Sequence, residues 1–224
     1  MKVLIIGSGG REHAIAWAIR KTNSENLKIY VAPGNAGTLP FATNVNIQIT
    51  EIVELATFAK ENNIDLTIVG SEIPLALGIV DIFTMNNLKI FGPSKNASQI
   101  ESSKEFAKNI MNKANVPTAD SIAFDSYEES IKFLTGKTPP FVIKANGLAA
   151  GKGVIIAASH EEAYEALDNC LNKEIFGESG KTVLIEEFLE GKELSIFAFT
   201  DGNYVSPLIG ACDYKRIYDN DLGP

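Results

Sequence analysis

Lys2-Val3-Leu4-Ile5-Ile6-Gly7-Ser8-Gly9-Gly10-Arg11-Glu12-His13 follows the initiating Met1, and its reading sets the fold. Four apolar residues run without polar alternation and stop at a glycine, the pattern of a parallel strand buried on both faces. Glycines after such a strand let backbone N–H groups approach an anion at the start of the next helix. The dinucleotide fingerprint Gly-x-Gly-x-x-Gly is not met, because Glu12 takes the third glycine position. The acid expected after the second strand is missing too, since Val31-Ala32-Pro33 stands there. A plain NAD domain is a poor fit. Two readings stay open: a phosphate site helped by Arg11, or a tight strand-to-helix turn that holds nothing.

Outward from this stretch the chain alternates strand and helix. Ala14, Ile15, Ala18 and Ile19 share a helical face; strands are expected at 28–32, at Val45, Ile47 and Ile49, at 66–69 and at 89–91. Thr50 can cap a helix whose Ile52, Leu55, Ala56 and Ala59 have helical spacing. This alternation predicts a doubly wound parallel α/β sheet. Ligands bind such sheets beyond the carboxyl ends of the strands. Two more loops end there: Pro33-Gly34-Asn35-Ala36-Gly37-Thr38, and Gly70-Ser71-Glu72. Glu72 is either an acceptor for sugar hydroxyls or a surface carboxylate at a helix start.

From about residue 94 the rhythm changes. Residues 94–114 read as mostly helical, with Phe106, Ala107, Ile110, Met111 and Ala114 as the apolar stripe. Ser126-x-x-Glu129 and Ser159-x-x-Glu162 are capping boxes that open two amphipathic helices. Strands at 141–145 and 153–158 flank a glycine-rich connection, and further strands are expected at 182–188, 194–199 and 204–208 with short turns between them. This is an antiparallel α+β pattern, so a second domain is expected to start near residue 100.

The 224 residues carry 20 Lys+Arg against 28 Asp+Glu, a net charge of −8, which disfavours a sequence-independent nucleic-acid binder. A few placed cations still suffice for an anionic small ligand. Cys170 and Cys212 form no CxxC, so neither a zinc site nor a disulfide framework is expected. Only four apolar residues follow Met1-Lys2, too few for an export signal, and no apolar run nears the ~20 residues of a membrane span. A reduced, cytoplasmic setting without membrane contact is the expectation. The loop-like ending Asp219-Asn220-Asp221-Leu222-Gly223-Pro224 suggests either a disordered tail or part of a longer protein.

Two stretches imitate P-loops. Gly147-Leu148-Ala149-Ala150-Gly151-Lys152-Gly153 is one residue short between its glycines, and Gly180-Lys181-Thr182 has Ile175 in the first glycine position. The first is still a phosphate candidate, because a hairpin of small residues between Lys144 and Lys152 can fold its amides over a polyphosphate. Glu186, Glu187, Glu190 and Glu193 follow a buried strand. They are solvated surface or, beside a nucleotide, a place where backbone reads adenine and a carboxylate holds ribose. Asp213-Tyr214-Lys215-Arg216 is either a clamp for carboxylate or phosphate or a solvated basic patch. His13 is expected to pack at a helix start and His160 to be exposed. The sequence contains no nucleophile–base–acid arrangement.

Taken in order, GSGGREH (7–13), YVAPGNAGT (30–38), DLTIVGSEIPL (65–75), IFGPS (90–94), SKEFAK (103–108), VIKANGLAAGKGV (142–154), VLIEEFLEGKELS (183–195) and DYKR…DNDLGP (213–224) resemble the phosphoribosylamine–glycine ligase (glycinamide ribonucleotide synthetase) family of ATP-grasp enzymes. The resemblance implies a Rossmann-like domain over 1–100, then an incomplete α+β ATP-grasp domain over 101–224 with a lid at about 120–190. It implies ligation of glycine to 5-phosphoribosylamine with ATP in purine biosynthesis. Gly9, Gly10, Arg11, Glu12, Asn35, Gly37, Glu72 and Asp213 would then bind substrate. Lys104, Lys144, Gly147, Gly151, Lys152 and Gly153 would meet the ATP phosphates, Glu186, Glu187 and Leu189 the adenine, and Glu193 the ribose. Lys215 and Arg216 would serve catalysis at the glycine and phosphate end. Mg²⁺ or Mn²⁺ would take ligands beyond Pro224, so none is assigned here. Asn146, Ser71, Tyr214 and Leu222 stand where the family pattern has Asp, Pro, His and Thr. Members are roughly twice this length, so the chain is expected to be their N-terminal half, binding ATP weakly with little turnover alone. Alternatives are another ATP-grasp carboxylate–amine ligase, or a split or truncated nucleotide-binding piece whose partner is the missing half.

Overall fold

The structure, a computed structural model, describes residues 1–22, 26–149 and 151–212. The chain divides into two compact units, Met1–Glu187 and Phe188–Pro224.

The first unit opens with a parallel sheet. Its elements run β1 (Lys2–Gly7), α1 (Gly10–Arg20), β2 (Lys28–Pro33), β3 (Thr43–Asn44), α2 (Ile52–Glu61), β4 (Leu66–Val69), α3 (Glu72–Leu77), α4 (Ile79–Met85) and β5 (Ile90–Phe91). The strand order is β3-β2-β1-β4-β5, all parallel. Successive residues of β1 serve opposite faces. Val3 and Ile5 pack with Ala16 of α1, Ile29 and Val31, whereas Leu4 and Ile6 pack with Leu55, Ala56, Ala59, Ile79 and Phe83 of α2 and α4. Both faces are covered, which is why the strand sequence shows no polar alternation. The chain turns to β2 on one side of β1 and to β4 on the other. In the resulting register Ile6 lies beside Ala32 and Val69, so the loops after β1, β2 and β4 emerge together.

Three local expectations are corrected here. The buried side of α1 runs through Glu12 and Ala16 with Ile15 and Ile19 half-buried, while Ala14 and Ala18 are exposed. The third strand is Thr43–Asn44; the Val45 N–H still donates to the Val31 carbonyl at 2.8 Å, and Val45, Ile47 and Ile49 pack on the core beyond the strand. Glu51, not Thr50, precedes α2, and its carboxylate accepts the Gln48 N–H at 2.6 Å.

The rest of the first unit holds α5 (Gln99–Ser102), α6 (Lys104–Lys113), β6 (Ser121–Phe124), α7 (Tyr127–Leu134), β7 (Phe141–Ala145), β8 (Val154–Ala157), α8 (His160–Leu171), a 3-10 turn (Gly177–Gly180) and β9 (Val183–Glu186). Its strands form an antiparallel sheet in the order β6-β9-β7-β8. Phe141, Ile143, Val183 and Ile185 pack with Leu134 of α7 and Ala163 and Leu167 of α8. The intervening residues Val142, Lys144, Leu184 and Glu186 therefore line the opposite face. Ser126 and Ser159 accept the N–H groups of Glu129 and Glu162, the N-cap half of each expected capping box, while the Glu162 carboxylate accepts the Ala158 N–H at 2.8 Å instead of that of Ser159. His160 is not exposed: its Nε2 donates to the Leu134 carbonyl at 3.3 Å, and its ring meets Phe141 edge-on.

Residues 94–114 are not one helix, because Ser103 has extended backbone between α5 and α6 and accepts the Phe106 N–H. Of the expected apolar stripe, Phe106, Ala107 and Met111 are half-buried. Ile110 and Ala114 are exposed, and the buried residue of α6 is Lys108.

In the second unit β10 (Ser195–Phe197) pairs antiparallel with β11 (Ile209–Ala211) as a separate two-stranded sheet. The strand expected at 204–208 thus falls later, with only a Thr200–Val205 bridge before it. Among the described residues no helix is long and apolar enough to cross a membrane.

Candidate functional site

At the carboxyl edge of the parallel sheet, Glu12 folds back into the turn that its own helix follows. Its Oε2 accepts the Gly9 N–H at 2.6 Å, half of a capping box at the start of α1. A Cβ on Gly7, Gly9 or Gly70 would collide with this carboxylate, and Gly7 adopts φ +138° besides. The third glycine of the dinucleotide pattern is replaced because a carboxylate fills that space. Glu12 is 3% exposed, yet its Oε1 meets no hydrogen-bond donor among the described residues. A buried carboxylate oxygen without a donor is costly. It is therefore suited to a donor brought by a ligand.

Around it stand the other residues singled out in the sequence. Arg11 Nη1 meets Glu72 Oε1 at 2.8 Å, and Glu72 raises the Arg11 pKa through this hydrogen bond and its charge. The pair is exposed, with 72% and 37% of the two side chains accessible, so both remain available to a ligand. Asn35 Nδ2 donates to the Ser8 carbonyl at 2.9 Å while its Oδ1 accepts the Gly37 N–H at 2.8 Å, which ties the second loop to the first. Gly37 is small because His13 sits against it, and His13 stacks on Phe41. Gly9, Gly10, Arg11, Glu12, Asn35, Gly37 and Glu72 are thus gathered at one sheet edge. Two supports were not read from the sequence. Thr38 is fully buried and bonds Asn44 Oδ1 at 2.6 Å, and Asn44 Nδ2 holds the Asn35 carbonyl at 2.8 Å.

The second cluster lies on the face of the antiparallel sheet away from α7 and α8. Glu186, at the end of β9, is 6% exposed, and its Oε2 takes Lys144 Nζ at 2.8 Å and Lys108 Nζ at 3.3 Å. Lys104, one helical turn before Lys108, donates to the Gly147 carbonyl at 3.1 Å. Burial holds the Lys104 ammonium below the usual lysine range, and Lys144 adds to this, while Glu101 and Glu186 oppose it. Three lysines around one carboxylate leave an excess of positive charge beneath a glycine-rich loop, an arrangement suited to a polyphosphate.

The loop between β7 and β8 is anchored at its base. Gly147 N–H donates to the Ser179 carbonyl at 3.0 Å, Ser179 Oγ donates to the Leu148 carbonyl at 2.8 Å, and a Cβ on Gly147 would strike Ser179. At its tip Gly151 takes φ +76° with open space around it, and Lys152 is exposed. Asn146, before the loop, accepts the Glu105 N–H on Oδ1 at 2.9 Å and so caps α6. Lys108 and Ser179 escaped the sequence reading. The Lys104–Lys108 spacing of four was the available signal for the first; nothing in the sequence marked the second.

Glu187 ends the first unit, its N–H donated to the Asp120 carbonyl at 2.9 Å. Leu189 and Glu193 belong to the second unit, where Leu189 is exposed and the Glu193 carbonyl accepts from Cys212 Sγ. Asp213, Tyr214, Lys215, Arg216 and Leu222 lie outside the described residues.

A family model described as phosphoribosylglycinamide synthetase, N domain, matches residues 1–101, and one described as phosphoribosylglycinamide synthetase, ATP-grasp (A) domain, matches residues 102–224. Phosphoribosylamine–glycine ligase of Caldanaerobacter subterraneus subsp. tengcongensis is 54% identical over all of this chain, which covers 54% of that protein. The same-named protein of Halalkalibacterium halodurans is 50% identical over all of this chain and 52% of its own length. The crystal structure of phosphoribosylamine–glycine ligase from Thermotoga maritima aligns over the whole chain and 53% of its own, with a TM-score of 0.77 and 35% identity. The chain spans about half the length of the curated relatives it matches. With both family models matching in order from end to end, it belongs to the phosphoribosylglycinamide synthetase family.

Proposed function

We propose that this chain supplies the phosphoribosylamine-binding domain (1–100) and part of the ATP-grasp domain (101–224, lid at about 120–190) of a ligase that joins glycine to 5-phosphoribosylamine. In this reaction the glycine carboxylate attacks the terminal phosphate of ATP, giving glycyl phosphate and ADP. The amine of phosphoribosylamine then attacks the acyl carbon and expels phosphate. The observation that carries the reading is the lysine cluster around Glu186 under the Gly147–Gly153 loop, in a chain whose family handles a nucleotide.

The protein's part is positioning and charge neutralisation, with no covalent intermediate on a side chain. Lys104 and Lys144 neutralise phosphate oxygens, and the loop carrying Gly147, Gly151, Lys152 and Gly153 closes over them. The strand end at Glu186 and Glu187, with Leu189, holds adenine, and Glu193 the ribose. At the parallel sheet, Arg11 and the Gly9–Gly10 amides take the sugar phosphate, while Glu12 Oε1, Glu72, Asn35 and Gly37 receive the ribosylamine. Asp213, Lys215 and Arg216 are assigned to the glycine end on family resemblance. Among the described residues no group of three His, Cys, Asp or Glu side chains is fit to receive Mg²⁺ or Mn²⁺.

The test is ATP-dependent phosphate release with glycine and phosphoribosylamine, omitting each in turn, for this chain alone and supplemented with the second half of a relative. The expected result is strict dependence on both substrates in the supplemented reaction and little turnover without the second half. Phosphate release indifferent to glycine would overturn the assignment.

A further inference from the structure

Lys108 is used by nothing in the mechanism above, yet it is the buried residue of its helix. Its ammonium donates to Thr118 Oγ1 at 2.9 Å and to the Ala119 carbonyl at 2.8 Å, and stands 3.3 Å from Glu186 Oε2 as an ion pair. Lys144 differs on every count. Glu186 Oε2 is its one acceptor among the described residues, and 27% of its side chain is accessible against 10% for Lys108. One carboxylate oxygen is therefore shared by a fixed cation and a movable one.

We infer that Lys108 is a positioning residue that keeps Glu186 paired, so that Lys144 is free to leave it for a phosphate. The inference rests on the polyphosphate reading of this cluster. A carboxylate as buried as Glu186 is strongly destabilising when its only cation departs. Were Lys144 its sole partner, that cost would be charged to every ligand that draws Lys144 away. With Lys108 held in place by the Thr118 and Ala119 oxygens, Glu186 keeps an ion pair whichever way Lys144 points. The four-residue spacing of Lys104 and Lys108 divides the labour on one face of α6: the first ammonium reaches the loop, the second the carboxylate.

The experiment titrates ATP and adenosine by NMR into the unmodified chain and into Lys108→Met, Lys108→Gln and Lys108→Arg, with each variant's thermal melt as the check of folding. Loss of the cation should weaken ATP by about tenfold, the loss of roughly one charge-assisted hydrogen bond. Adenosine, which has no phosphate to draw Lys144, should stay within about twofold, and Lys108→Arg should keep ATP affinity within about threefold, both well short of that tenfold step. Gln keeps a donor for the Ala119 carbonyl but no charge, so it should follow Met for ATP even if Met melts early. Equal weakening of ATP and adenosine would make Lys108 a merely structural residue and overturn the inference, as would unchanged ATP affinity in both Met and Gln variants. An unmodified chain that binds adenosine but gains nothing from the phosphates would overturn the polyphosphate reading, and this inference with it.

Discussion

At the scale of single residues, the two clusters share one device, a buried carboxylate that fixes its surroundings. Glu12 occupies the space between Gly7, Gly9 and Gly70 and keeps one oxygen without a donor. Glu186 holds two lysines on one oxygen. Lys104 supplies a pH-dependent test. Its folded-state pKa is below the ordinary 10.5, chiefly through burial, so the folded chain holds this proton less tightly than the unfolded chain. Stability should therefore rise slightly as pH increases through the window between the lowered value and 10.5, while polyphosphate affinity falls over the same window because the cation is lost. ATP titrations across alkaline pH should show a loss of affinity that begins below the range of an exposed lysine and that Lys104→Met abolishes. A pH profile identical in parent and variant would remove Lys104 from the site. Glu12 and Lys108 also show how far a residue-by-residue reading carries. Glu12 was visible as a departure from a glycine pattern, but that its side chain fills the space between Gly7, Gly9 and Gly70 depends on the fold around it. Lys108 was hidden because a lysine in an amphipathic stripe reads as solvated surface.

Among the elements, what the sequence made legible was whatever depends on neighbours along the chain. Residues 66–69 and 141–145 are strands with the expected bounds, and the serines at 126 and 159 cap their helices as spaced. What failed depends on neighbours across space. The alternation of Val45, Ile47 and Ile49 serves a core beyond a strand of only two residues, and Ser103 breaks the 94–114 stretch, where Asn146, just past β7, also supports the start of α6. That cap gives an element-scale test. Asn146→Asp places a negative charge at the N-terminus of α6, which should stabilise by about 0.3–1 kcal/mol. Ser159→Ala should cost about 1 kcal/mol by removing the cap of α8. Urea unfolding midpoints at constant slope measure both. No gain from Asn146→Asp would argue that its contact with the Glu105 N–H contributes little.

For the molecule as a whole, two unlike sheets carry two unlike sites within the first unit. The parallel sheet presents loops at its carboxyl edge, and the antiparallel sheet holds its charged cluster on the face opposite α7 and α8, where Lys108 of α6 meets Glu186. Fold class was legible in the strand–helix alternation, and the candidate site residues could be picked out because the family motifs fall on strand ends and on the loop between β7 and β8. The segment with Asp213, Lys215 and Arg216 falls outside the described residues. The central claim is that the lysine cluster binds the phosphates of a nucleotide, and isothermal titration of ATP into this chain and into Lys144→Met tests it most directly. The account predicts saturable binding that Lys144→Met weakens by about tenfold or more, the loss of one charge-assisted contact. Equal affinity in the two proteins would contradict it.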